Sequence, residues 1–248
     1  DTTEALTEAL ANATMGTVVE LTAGSYTGSF NVPTGVTLRG SGDVTIVSDG
    51  GAGIIVTAGA GGPTSVTGLS VTGTEGAVFV QSINDGLGVV NLSDLTIDAE
   101  TGFALALEGV DATLSNITLS GPISSLDDPL LNTIGASIDS RDAAVFGLVS
   151  HASTIAIDNM SLTGFAGFGA AFVNSTVNWT SGVIQYCIGT SVFAEASSVV
   201  LSDLTITDGT TGRAVSALNA ISYGIAMTND SDVVTEGTTI ERVKGVGV

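Results

Sequence analysis

A six-residue pattern that returns along most of the chain limits what this sequence can fold into. It spans 66–71 (VTGLSV), 92–97 (LSDLTI), 114–119 (LSNITL), 157–162 (IDNMSL), 179–184 (WTSGVI) and 201–206 (LSDLTI), and a weaker copy ends at Ile240. Its last apolar position recurs 22 residues apart from 97 to 119, from 162 to 184 and from 184 to 206, while the other intervals are longer by 4, 21 and 12 residues. A fixed period that tolerates insertions is the mark of a repeat architecture, in which each unit buries its apolar face against its neighbours. Inside a copy, apolar residues flank a small polar or glycine pair and then alternate, which describes a strand, a tight bend and a second strand. A third strand follows in Gly76–Val80, Gly102–Leu107, Gly169–Val173, Ser191–Ala194 and Gly224–Met227. Three short strands per 22 residues make one coil of a parallel β-solenoid, with coils about 4.8 Å apart. A leucine-rich repeat has a similar period, but its Leu/Asn consensus and helical segment are missing.

Composition agrees. Aromatics are only 5% of the chain while glycines number 33, a balance that suits thin layers of small side chains inside a narrow solenoid. No Pro-rich or charged linker divides the 248 residues, so a single domain is expected. Residues 1–15 are read as a capping segment and 16–248 as coils. Over Thr3 to Thr14, Leu6, Ala9 and Leu10 fall on one side of a short helix, with Thr2 or Thr3 at its N-cap. Such a helix can plug the open end of the solenoid, whose strand edges need covering.

The segment Gly16 to Gly42, GTVVELTAGSYTGSFNVPTGVTLRGSG, resembles the opening coil of the pectin-lyase-like superfamily, with its Gly-x-Tyr turn and Val-Pro-x-Gly-Val-x-Leu-x-Gly run. As a repeat pattern the likeness extends over the whole chain. It implies an all-β fold, a right-handed single-stranded parallel β-helix. About activity it implies little, since that superfamily contains lyases, hydrolases, phage tailspikes, adhesins and structural surface proteins.

A formal charge of −20 repels nucleic-acid phosphates and anionic headgroups, so nucleic-acid binding and direct membrane insertion are not expected. The one cysteine, Cys187, allows no intrachain disulfide and reads as a buried thiol. An extracellular or cell-surface location fits a chain that opens on Asp1 without a methionine. Seven Asn-x-Ser/Thr triplets begin at Asn12, Asn91, Asn116, Asn159, Asn174, Asn178 and Asn229, several of them at bends where asparagine is favoured. Phe79, Phe172 and Phe193 occupy similar places in their coils and are expected to stack as an interior ladder, and Trp179 is expected in the core.

Insertions in a solenoid map to loops on one edge and often build its binding face. Two are visible, at 120–140 and 207–220. Both follow the same strand type, and three coil steps, about 14 Å, separate them. In or beside that interval lie Asp127, Asp128, Arg141, Asp142, His151, Asn174, Glu195 and Arg213, the candidate ligand-binding residues. Asp127 and Asp128 are a carboxylate pair of the kind glycoside hydrolysis uses, but adjacent aspartates are more often a solvated loop with a helix or turn start before Pro129. The motifs that superfamily members use to cleave polygalacturonate do not carry over: His151 lies in Ser-His-Ala, and Arg242-Val243-Lys244 is the sole echo. No catalytic residue and no obligatory cofactor is therefore assigned. Calcium is an open option at acidic turns such as Asn84-Asp85-Gly86 and Thr207-Asp208-Gly209.

The expected function is a non-enzymatic, secreted or surface scaffold, adhesion or glycan-binding protein. A polysaccharide lyase or glycoside hydrolase with its site between the insertions is the alternative. Gly245 to Val248 read as the first half of another third-type strand, so further coils or a protein partner are expected at that end.

Overall fold

A computed structural model describes residues 3–48, 50–73, 76–83, 86–122, 144–209, 222–243 and 245–246. With strands numbered along the chain, one sheet (A) contains β1 (Val18–Thr27), β3 (Thr37–Val47), β5 (Thr64–Gly73), β7 (Gly88–Ala99), β9 (Val110–Ser120), β11 (Thr154–Thr163), β13 (Thr176–Gln185), β15 (Ser198–Thr207), β17 (Asp232–Glu236) and β18 (Thr239–Glu241). The other (B) contains β2 (Phe30–Val32), β4 (Ala52–Ala58), β6 (Gly76–Ser82), β8 (Gly102–Glu108), β10 (Ala144–His151), β12 (Phe168–Val173), β14 (Thr190–Glu195), β16 (Ser222–Thr228) and β19 (Gly245–Val246). Up to β17 the strands alternate between the sheets along the chain, β17 and β18 both pair with β15, and every sheet neighbour is parallel and one coil away, which is a β-helix.

Register follows the repeat. Val71, Ile97, Leu119, Leu162, Ile184, Ile206 and Ile240, the last apolar residues of the seven copies, pair in one unbroken row. The first and second strands of each copy run as one bent strand of sheet A. The bend is a column of left-handed residues, Asp94, Asn116, Asn159, Ser181 and Asp203, with φ between 53° and 58°. Short polar side chains tolerate that conformation because they bond locally. Here they also bond along the stack: Asn116 Nδ2 donates to Asp94 Oδ1 at 3.1 Å and Asn159 Nδ2 to Asn116 Oδ1 at 3.0 Å.

The interior is filled by rows of Leu, Ile and Val that are almost wholly inaccessible. Trp179 is buried in the row Leu92, Leu114, Ile157, Trp179, Leu201. Cys187 is buried as expected, and desolvation pushes its thiol up to about 12, which favours the protonated form.

The cap helix α1 covers Thr3–Ala11, shorter than expected, and buries Leu6 and Leu10 against β2 and β1. Ala9 is exposed, because the i, i+4 pair alone faces the coil. Thr3 does not act as the cap: its hydroxyl donates to Thr27 O at 2.8 Å and accepts from Thr27 N at 3.2 Å, tying the helix to the first coil.

At the other end, Arg242 clamps Asp208, with Nε to Oδ1 at 2.6 Å and Nη2 to Oδ2 at 2.9 Å, and Nη2 also reaches Thr207 Oγ1 at 2.7 Å. The Arg242 hydrogen bond holds the Asp208 carboxyl below its ordinary range. A depressed folded-state value stabilises the fold above the ordinary aspartate value, and that stability is lost as pH falls through the folded one. Acid titration of the melting temperature is therefore expected to show a component at the low-pH edge that Arg242→Ala removes. An unchanged acid profile in that variant would refute the clamp.

Candidate functional site

Sheet B presents one outer face, and its strand ends define two borders. Where chain passes from sheet A into sheet B, the two insertions sit: β9 ends at Ser120 and β10 begins at Ala144, while β15 ends at Thr207 and β16 begins at Ser222. Asp127, Asp128, Arg141, Asp142 and Arg213 lie outside the described residues, as do Asn84 and Asp85. The carboxylate of Asp208, from the second acidic turn, is occupied by Arg242.

His151, Asn174 and Glu195 lie at the opposite border, where sheet B strands end. One row there runs Gln81, Glu108, His151, Val173, Glu195, Thr228 in register. His151 Nδ1 is 3.7 Å from Glu108 Oε1, and the two side chains are 53% and 60% exposed. Asn229 Nδ2 donates to Glu195 Oε1 at 2.7 Å. Asn174 is exposed in the adjoining bend, in the left-handed conformation (φ 49°), and its backbone N–H donates to Glu195 O at 2.9 Å. The structure thus gathers these three on one rim, separated from the insertion border by the length of a strand, about 16 Å from Phe146 to His151.

Beneath that rim runs a column of serines. Ser153, Ser175 and Ser197 are buried, and each hydroxyl donates to a carbonyl two residues earlier, of His151, Val173 and Glu195. Each also accepts a backbone N–H from the preceding coil, from Val110, Ser153 and Ser175. The rim is fixed from below by bonds that cross coils.

The phenylalanines depart from the expected interior ladder. Only Phe172 of the three is fully buried; Phe79 and Phe193 are half-buried, each between two inaccessible neighbours, and so face outward. The stack forms outside instead. Phe103, Phe146 and Phe168 pair across β8, β10 and β12, all half-buried. Phe146 and Phe168 lie 5.5 Å apart at 17°, Phe168 and Phe193 5.1 Å apart at 36°, and Phe79 and Phe103 6.3 Å apart at 56°. Gly76 makes room for this, since a Cβ there would meet the Phe103 ring at 2.9 Å. Sheet B therefore bears five half-exposed rings flanked by hydrogen-bonding side chains, whereas the outer face of sheet A is mostly Thr, Ser, Asp and Asn.

Chemically, the described part of this face offers ring surfaces and hydrogen-bonding side chains. Glu108 and Glu195 stand three coil steps apart, about 14 Å, beyond the 5–9.5 Å at which two carboxylates divide acid and base roles in glycoside hydrolysis. Among the described residues no cluster of three or more His, Cys, Asp or Glu could hold a metal ion.

The fold is the right-handed parallel β-helix. Among solved structures the chain is similar to full-length tailspike protein 2 of an Escherichia coli O157:H7 bacteriophage, at 12% identity and a TM-score of 0.62 over 93% of this chain and 37% of that one. It is also similar to the enzymatically active domain of tailspike protein 2 of bacteriophage CBA120, at 14% identity and a TM-score of 0.58 over 93% of this chain and 41% of that one. The chain thus spans well under half the length of either tailspike. No protein-family model matches the sequence, and no curated protein is significantly similar to it. No helix among the described residues is long and apolar enough to cross a membrane.

Proposed function

We propose that this chain is a glycan-binding β-helix that acts outside the cell, as an adhesion surface or scaffold, and holds its ligand without turning it over. One observation carries the reading: half-exposed aromatic rings, stacked across coils on sheet B, lie beside a rim of carboxylate, imidazole and amide groups. Pyranose rings present an apolar C–H face and a girdle of hydroxyls, so a surface combining ring faces with hydrogen-bonding groups matches both. Phe193 and Glu195 are two residues apart on one strand, about 7 Å, which lets one sugar touch both. The tailspike likeness supports the fold that carries this face.

The test is a glycan array probed with the full chain, followed by product assays on every binder. Binding is expected, with His151→Ala and Glu195→Gln each weakening it severalfold, in line with the loss of one hydrogen bond. Release of reducing ends or unsaturated uronates would replace this reading with the lyase or hydrolase one.

A further inference from the structure

Resting on the glycan-binding reading, we infer that the outer face of sheet B takes a neutral glycan chain, laid along the solenoid axis across successive coils. Direction comes from where the rings are. Phe79, Phe103, Phe146, Phe168 and Phe193 each belong to a different strand, from β6 through β14, and the closest pairs are 5.1 and 5.5 Å apart, near one coil step. A chain crossing the coils meets a ring at each of five strands. A chain lying along one strand meets a single ring. The polar rim runs in the same direction, one residue per coil, so axial binding keeps both kinds of contact in phase.

Charge decides the class of sugar. The rim carries Glu108 and Glu195, and its one basic group is His151, already beside Glu108. Among the described residues the fixed cations are engaged elsewhere: Arg39 pairs with Glu20 at 3.2 Å on sheet A, and Arg242 is clamped to Asp208. Among the described residues no free counter-charge receives the carboxylate that a uronate laid over these rings would strip of water, next to a chain of net charge −20. A neutral sugar meets no such penalty, and the rim carboxylates accept its hydroxyls.

The experiment is affinity electrophoresis of the full chain through gels containing neutral glucans, mannans or xylans, or alginate or polygalacturonate, at low and high salt. Retardation is expected in a neutral polymer, with little salt dependence, and with affinity for its oligosaccharides rising until they span the five ring-bearing strands. Phe168→Leu with Phe193→Leu keeps apolar bulk, and so the fold by circular dichroism, and is expected to weaken binding about tenfold. Retardation by uronates alone, strengthening as salt is lowered or raised, would overturn the neutral assignment while leaving glycan binding intact. Retardation by none of the polymers would overturn both. Self-association that the double variant abolishes would assign the face to a second copy instead.

Discussion

Trp179→Ala is expected to cost about 4 kcal/mol of stability, near the upper range for emptying a large core site. The reason is a compensation built into one coil. Elsewhere the interior rows place two large residues around the bend, such as Leu92 with Leu95, Leu114 with Ile117 and Leu201 with Leu204. Here the second place is Gly182, in register with Met160 and Leu204. The indole fills the volume of both, and a Cβ at Gly182 would stand 3.2 Å from Trp179 Nε1. That nitrogen also donates to Ser181 O at 3.1 Å, a bond the truncation removes. With glycine alongside, no neighbouring side chain can collapse into the cavity. Denaturant unfolding reads the cost, and hydrogen exchange is expected to place the loss in β11, β13 and β15, because a solenoid couples each coil mainly to its neighbours. A cost below about 1.5 kcal/mol would mean that the coil repacks freely, contrary to this account.

Much of the fold was legible because its cause is periodic. The same residue types return every 22 positions, since each must fill the same place in a layer, and the row from Val71 to Ile240 follows that reading to the residue. Asn116 and Asn159 were legible as bends for the same reason, since left-handed backbone selects few side chains. Inward or outward orientation in sheet B was harder to read. Phe79, Phe172 and Phe193 each sit a few residues into their strands, but Phe172 pairs with Ala194, and Phe193 with Ala171, so they belong to different rows. A one-residue difference in register exchanges core for surface. The strand starts add a further irregularity: Gly147 and Gly169 face the interior beside Leu148 and Ala170, which turns Phe146 and Phe168 outward. Composition carries no trace of that local break in alternation.

The site was legible along the axis and illegible across it. Counting coils set the interval in which His151, Asn174 and Glu195 fall, but a coil has two borders with sheet B, and counting does not tell them apart. Strand polarity does. The insertions precede sheet B strands, whereas His151 and Glu195 end them. Glu108 went unremarked, and Asn229 stood out only as the start of an Asn-x-Ser/Thr triplet, because each lies in a different copy, and only the parallel register brings them beside His151 and Glu195. The signal available in sequence was the serine two residues after three of these strands, at 153, 175 and 197, and three residues after the next, at 231.

That serine column sets the second large expectation, for Ser175→Ala. Its hydroxyl donates to Val173 O at 2.9 Å and accepts from Ser150 Oγ at 3.0 Å and from Ser153 N at 3.3 Å, all in a region closed to solvent. Alanine leaves a hydroxyl and a backbone N–H to find new partners where water cannot supply them, and takes from Val173 O one of its two donors, the other being Ala152 N–H. Orphaning a buried polar group costs about 1–3 kcal/mol, so a total loss of about 3 kcal/mol is expected once Ser150 rotates to another acceptor. Ser198→Ala, one residue beyond Ser197 and exposed, should stay within about 0.5 kcal/mol and serves as the control. The two effects separate further in function. Ser175 anchors the turn that presents Asn174 and lies one coil from the turns after His151 and Glu195, so its loss should weaken glycan binding as well as stability, although no ligand touches it. Equal stability of the two variants would show that these cross-coil bonds do not hold the rim.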